Sequence, residues 1–119
     1  MNTHYDKFLK SIANYSVTYT SAREYSPLLN VVFEYSKLES DWDGYSAEPP
    51  TILTCINAYN FVTFIQQSKL VTPSIMLTGD GEISFFWKFN TTYIEVNIQN
   101  SDFSYIVVEN KILKEVYDK

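Results

Sequence analysis

The hydrophobic pattern of this chain changes period once, at Pro73, and that change restricts the fold more than any other feature. Before it, apolar residues recur at three and four, the spacing that puts one stripe on a helix. After it they alternate at two, the spacing that puts one face on a strand. Helices first and strands second predict an α+β fold rather than an alternating α/β one.

Tyr5, Phe8, Leu9, Ile12 and Tyr15 form one stripe, which predicts a short helix over 3–15. Val17, Thr18, Tyr19 and Thr20 read as a short extended piece. A second helix has two competing starts, a capping-box spacing at Ser21 to Glu24 and an N-cap with following proline at Ser26-Pro27. The second is preferred, because proline inside a helix is costly. Leu28, Val31, Val32, Tyr35 and Leu38 then make its buried face. Thr51 is the expected N-cap of a third helix over 52–68. Apolar residues cover more than half of that helix's circumference, so it is expected to be the most buried of the three.

Beyond Pro73 the alternation predicts a short strand at Ser74, Ile75, Met76 and Leu77, then a turn at Thr78-Gly79-Asp80-Gly81. Ile83, Phe85, Trp87 and Phe89 share one face of the next strand. Ile94, Val96 and Ile98 alternate in another, and Phe103, Tyr105 and Val107 in a third. Asn90-Thr91-Thr92 and Asn100-Ser101-Asp102 turn the chain between them. Glu109-Asn110-Lys111 starts either a last hairpin into 112–117 or a helical tail. The expectation is one domain over 1–119: N-terminal helices packed on one face of a C-terminal antiparallel β-meander of four or five strands, with the third helix as the cover.

A chain of 119 residues buries enough surface to fold without a disulfide or metal staple. The 17% aromatic content reads first as an aromatic core with tyrosine hydroxyls at its edge. Fourteen acidic residues outnumber nine basic ones, for a net charge of −5, and the basic residues are scattered. Nucleic-acid binders present a basic stripe to phosphates, so direct nucleic-acid binding is not expected, whereas a basic protein partner is. No apolar run reaches the length of a membrane span, and the first residues do not read as a secretory signal, so a cytoplasmic protein is expected. Without such a signal, the glycosylation pattern at Asn90-Thr91-Thr92 carries no weight.

Candidate chemistry is sparse. His4 is the only histidine, near an end expected to be mobile. A nucleophile–base arrangement would depend on it, and such sites need a held base with an orienting group. Cys55 is the only cysteine, within an apolar stretch, and reads as a buried thiol. One histidine and one cysteine do not make a zinc site. No phosphate-binding glycine loop occurs, and no cofactor, metal or catalytic residue is assigned.

The remaining polar constellation is acidic: Glu34, Glu39, Asp41, Asp43 and Glu48 against Lys37 alone. Asp41-Trp42-Asp43-Gly44 opens like a calcium loop but lacks the later ligands and the bidentate glutamate. Asp41 and Asp43, two residues apart in a turn, read as local caps of backbone N–H groups. Trp42, Gly44, Pro49 and Pro50 read as the structural loop: the indole plugs the gap where two helices diverge, Gly44 supplies a positive φ and the prolines stiffen the exit. Glu39, Asp41, Trp42, Asp43, Tyr45 and Glu48 are the candidate binding residues, an aromatic anchor ringed by acids.

The run Asp41-Trp42-Asp43-Gly44-Tyr45-Ser46-Ala47-Glu48-Pro49-Pro50 resembles the signature of an uncharacterised group of small bacterial and phage-borne proteins, D-W-D-G-Y-G-A-x-P-P. The similarity extends through Ala58, Phe61 and Phe64, and through Thr78-Gly79-Asp80-Gly81 to the strand ending in Trp87, covering about residues 38 to 100. Ser46 stands where the group has its second glycine, so the backbone there is not expected to demand glycine. Members of the group look like accessory genes beside other small genes, as antitoxins and anti-defence proteins do. Small size, net negative charge and the absence of catalytic groups lead to the expectation of a small acidic, non-catalytic protein-binding module, and the accessory-gene likeness suggests the antitoxin, immunity or anti-defence kind. The alternative is an enzyme or small-ligand binder using the carboxylates of Asp41, Asp43 and Glu48. A homodimer through an edge strand is a third option, because a meander leaves unpaired edges.

Overall fold

The computed structural model describes residues 3–13, 15 and 25–118. Among them, three helices precede five strands: α1 (Thr3–Ile12), α2 (Ser26–Tyr35), α3 (Ile52–Gln67), β1 (Ser74–Leu77), β2 (Ile83–Phe89), β3 (Thr92–Gln99), β4 (Asp102–Glu109) and β5 (Ile112–Asp118). The strands form one antiparallel sheet in the order β1-β2-β3-β4-β5, an uninterrupted meander. The fold is therefore α+β, with the helices segregated from the sheet in sequence. The alternative of a helical tail gives way to β5, which pairs with β4 through a register shift between Val107 and Val108.

The turn chemistry explains the meander. Phe89 pairs with Thr92, Gln99 with Asp102 and Glu109 with Ile112, so two residues close each of three successive hairpins. The first residue of each is asparagine, and Asn90, Asn100 and Asn110 have φ of 52°, 54° and 54°. Asparagine tolerates this left-handed region better than other side-chain-bearing residues, and two-residue hairpins require it.

Alternation places Ile83, Phe85, Trp87, Ile94, Val96, Ile98, Phe103, Tyr105 and Val107 on one buried face. Helix α1 seals it with Tyr5, Phe8 and Ile12, and α3 with Ala58, Phe61, Val62 and Ile65. The aromatic hydroxyls and the indole N–H at the edge of this core all find acceptors or partners. Tyr25 donates to the Leu70 carbonyl at 2.5 Å, Trp87 to that of Val71 at 2.6 Å, and Tyr105 meets the Ser11 hydroxyl at 2.6 Å. Burial pushes the Tyr5 phenol up to about 12, and its hydroxyl donates to the Asn57 carbonyl at 3.1 Å.

Several expectations from the sequence are revised. Helix α1 ends at Ile12 rather than Tyr15, and α2 at Tyr35 rather than Leu38. Tyr25, not Ser26, occupies the N-cap of α2, with no side-chain cap, and Pro27 lies in its first turn. The extended piece at 17–20 and the capping-box start at Ser21 to Glu24 lie outside the described residues. His4 is held rather than loose: its Nδ1 lies 2.6 Å from the Tyr117 hydroxyl and its ring stacks on Phe103. Thr51 does cap α3, its hydroxyl accepting the N–H of Thr54 at 3.1 Å. That helix start is bolted to the β3–β4 turn. The Thr51 hydroxyl donates to the Asn100 side chain at 2.6 Å, Asn100 N–H to the buried Thr54 hydroxyl at 2.6 Å, and the Asn57 amide to the Asn100 carbonyl at 2.7 Å. Helix α3 is not buried all round, however. Ile52, Leu53, Ile56 and Tyr59 are exposed on its outer side, because the sheet, α1 and α2 together cover only part of its circumference.

Candidate functional site

The acidic segment between α2 and α3 folds on its own backbone. Asp41 and Gly44 have φ of 63° and 78°, which turns the chain twice within four residues. The Asp43 carboxylate accepts the N–H of Tyr45 at 2.8 Å and that of Ala47 at 3.1 Å, and Asp41 accepts the N–H of Ser46 at 2.6 Å. The Asp41 N–H donates to the Ala47 carbonyl at 2.7 Å, closing the loop at its base. Each carboxylate thus satisfies backbone donors that a tight loop leaves orphaned. Both remain exposed.

Trp42 does not plug a gap between helices. It is half-buried, stands outside the aromatic core, and donates its indole N–H to the Glu48 carbonyl at 2.8 Å, within the same loop. The tryptophan that fills the core is Trp87, on the inward side of β2. A loop brace of this kind contributes one hydrogen bond and part of an indole's burial. Trp42→Ala is therefore expected to cost about 1–2 kcal/mol, well short of the ~3–5 kcal/mol of a core aromatic. Chemical denaturation of the variant beside wild type measures the difference.

Ser46 has φ 66°, so the position does favour glycine, contrary to the expectation from its serine. A side chain there carries about 1–2 kcal/mol of steric cost, partly offset because glycine loses more chain entropy on folding. Ser46→Gly should raise stability by about 0.5 kcal/mol, and Ser46→Val should lower it by about 1 kcal/mol, since β-branching worsens the clash. Urea midpoints of the two variants should fall on opposite sides of wild type.

The loop is anchored to the sheet. Glu48 N–H donates to the Gly79 carbonyl at 2.8 Å, and Pro49 and Pro50 lie against Gly81 of the β1–β2 turn. Ala47 and Pro50 are buried beneath it, while Tyr45 projects outward with 88% of its surface exposed. Glu39, Asp41, Asp43 and Glu48 are exposed on the same segment. The structure therefore presents the candidate binding residues on one short stretch, with Trp42 turned inward to brace it.

A feature the sequence reading missed adjoins this loop. Val32, Phe33 and Ser36 at the end of α2, and Ile52, Cys55, Ile56 and Tyr59 at the start of α3, line an open apolar groove of about 250 Å³. Phe33, Ile52, Ile56 and Tyr59 are each about half exposed or more. The excess of apolar positions around α3 was the available signal, since one helix cannot bury every side at a sheet surface. Cys55 forms part of the floor, and burial pushes its thiol pKa up, away from nucleophilic character. Among the described residues, no three of His, Cys, Asp or Glu come together as a metal site requires, and no helix is long and apolar enough to cross a membrane. No family model, curated protein or solved structure matches this chain.

Proposed function

We propose that this protein is a small acidic, non-catalytic protein-binding module, of the kind that serves as an antitoxin, immunity protein or anti-defence inhibitor. The observation that carries the reading is the loop: a cross-braced turn whose carboxylates are held by their own backbone N–H groups, with Tyr45 standing clear of it. Such a surface is ordered before it meets a partner, which reduces the entropic cost of binding. Exposed acids steer a basic protein onto it, and a tyrosine at the centre supplies the apolar contact that holds it. The resemblance of residues 41–50 to the accessory-protein signature agrees with this role.

The test is affinity capture from the native host at low and at moderate salt, with wild type and Tyr45→Ala as baits. A stoichiometric basic protein, weakened by salt and lost with Tyr45→Ala, is the expected result. Recovery of no stoichiometric protein at either salt concentration would overturn the proposal.

A further inference from the structure

The groove between α2 and α3 gives the proposed binding role a specific form. We infer that it is a docking site for a cationic amphipathic helix on the partner protein, an inference that rests on the acidic-module reading.

Three observations converge. The first is the groove itself, in which Phe33, Ile52, Ile56 and Tyr59 lie together, each about half exposed or more. Contiguous apolar surface of this sort marks an interaction site more often than an accident of packing. The second is the nature of its walls. Both are α-helices whose backbone groups are bonded internally, so the groove offers no N–H or C=O ladder to an extended strand. An occupant must satisfy its own backbone, and a helix does so while projecting apolar side chains at three- and four-residue spacing. The third is charge. Ser36 and Ile52, at one end of the groove, are joined by the loop that carries Glu39, Asp41, Asp43 and Glu48. Lys37, the one base of that stretch, lies 4.4 Å over the Phe33 ring and pairs with Glu34 at 3.4 Å. The loop at that end thus carries four carboxylates, against one base that is already paired, which favours lysine and arginine at the corresponding end of the occupant. The same charge disfavours a second copy of this chain, whose own net charge is −5.

The test uses the full chain and a synthetic peptide of about 18 residues with leucines at helical spacing and lysines elsewhere. Two controls accompany it: a scrambled peptide of the same composition, and a twin with glutamate in place of lysine. Binding is followed by calorimetry and by amide shifts. The cationic helix is expected to bind with shifts centred on α2 and α3, and both controls to bind at least about tenfold more weakly. Phe33→Ser with Ile56→Ser, two exposed positions whose change leaves the melting temperature nearly unaltered, should weaken binding by about tenfold or more. Glu39→Gln with Glu48→Gln should weaken it severalfold and flatten its salt dependence.

If either control peptide binds as tightly as the cationic helix, the inference is wrong. If the groove variant binds as wild type while the loop variant does not, the groove is not the site, yet the acidic-module reading stands. If no cationic peptide binds even at low salt, the groove inference is overturned, while the acidic-module reading is decided separately by the capture from the native host. A dimer in sedimentation that the groove variant dissolves would assign the groove to a second copy and also overturn the inference.

Discussion

Phe61→Ala should be among the most destabilising single truncations in this protein, costing about 4–5 kcal/mol. Its side chain is fully buried, and its ring centroid lies 5.4 Å from that of Tyr5, 5.6 Å from Phe8, 5.2 Å from Phe85 and 5.7 Å from Phe103. These partners belong to α1, β2 and β4, so one ring ties α3 to both the other helix on that face and the sheet. Removing it opens a cavity that three rigid elements cannot collapse into, and it also removes edge-to-face contacts with Tyr5 and Phe8. For a domain of this size the loss corresponds to a fall in melting temperature of roughly 15–20 °C, and it is a large part of a typical folding free energy. Phe64→Ala is the internal comparison. Phe64 is half-buried and its ring meets Tyr5, at 5.2 Å, so its loss should be about 1–2 kcal/mol. Calorimetric melts of both variants decide the matter. Similar losses at the two positions would show that α3 is not seated on the sheet through Phe61.

What the sequence shows and what it hides divide along a physical line. The positions of β1 to β4 follow from alternation, because a period of two has few alternative readings, and the asparagine turns at 90 and 100 set where strands stop, whereas 112–117 does not alternate and its strand is decided only by pairing with β4. The cap at Thr51 was legible for the same reason: its chemistry is local. The orientation of α3 was not, since apolar residues surround it and only the tertiary arrangement decides that Phe61 points inward and Ile56 outward. The two tryptophans illustrate the same division. Trp87 lies on an alternating strand and was placed with the core-facing residues. Trp42 lies in a loop with no periodicity to orient it, and its size alone suggests a core role, whereas its indole is half-buried and bonded within the loop. The candidate loop was legible as a polar cluster with a turn-forming glycine. Its attachment to the β1–β2 turn was not, because Glu48 and Gly79 are distant in sequence and nothing local links them.

That attachment leads to the second large effect. Gly81→Ala should cost about 3 kcal/mol, although the change adds a single methyl group. The residue has φ +86°, where an L side chain is strained by about 1–2 kcal/mol. A Cβ built there would lie 2.8 Å from the Pro49 carbonyl oxygen and 3.4 Å from the Cα of Pro50. Those are backbone atoms of a segment stiffened by two prolines and tied down through Glu48, so they cannot rotate aside as a side chain tip would. Relief requires the loop to lift from the turn, which adds an overpacking cost of roughly 1–3 kcal/mol. Gly79, two residues earlier, isolates the cause. Its φ lies outside the positive region, and a Cβ there meets nothing within 4 Å, so Gly79→Ala should be neutral or stabilise by up to about 0.5 kcal/mol. The same pair of variants reports on the loop as a binding surface. If the acids and Tyr45 bind because the turn holds them in place, Gly81→Ala should weaken partner binding at temperatures where the variant is still folded, and Gly79→Ala should not. Equal urea midpoints for the two variants would mean that the loop is not pressed against Gly81, and the rigid platform on which the binding role depends would be lost.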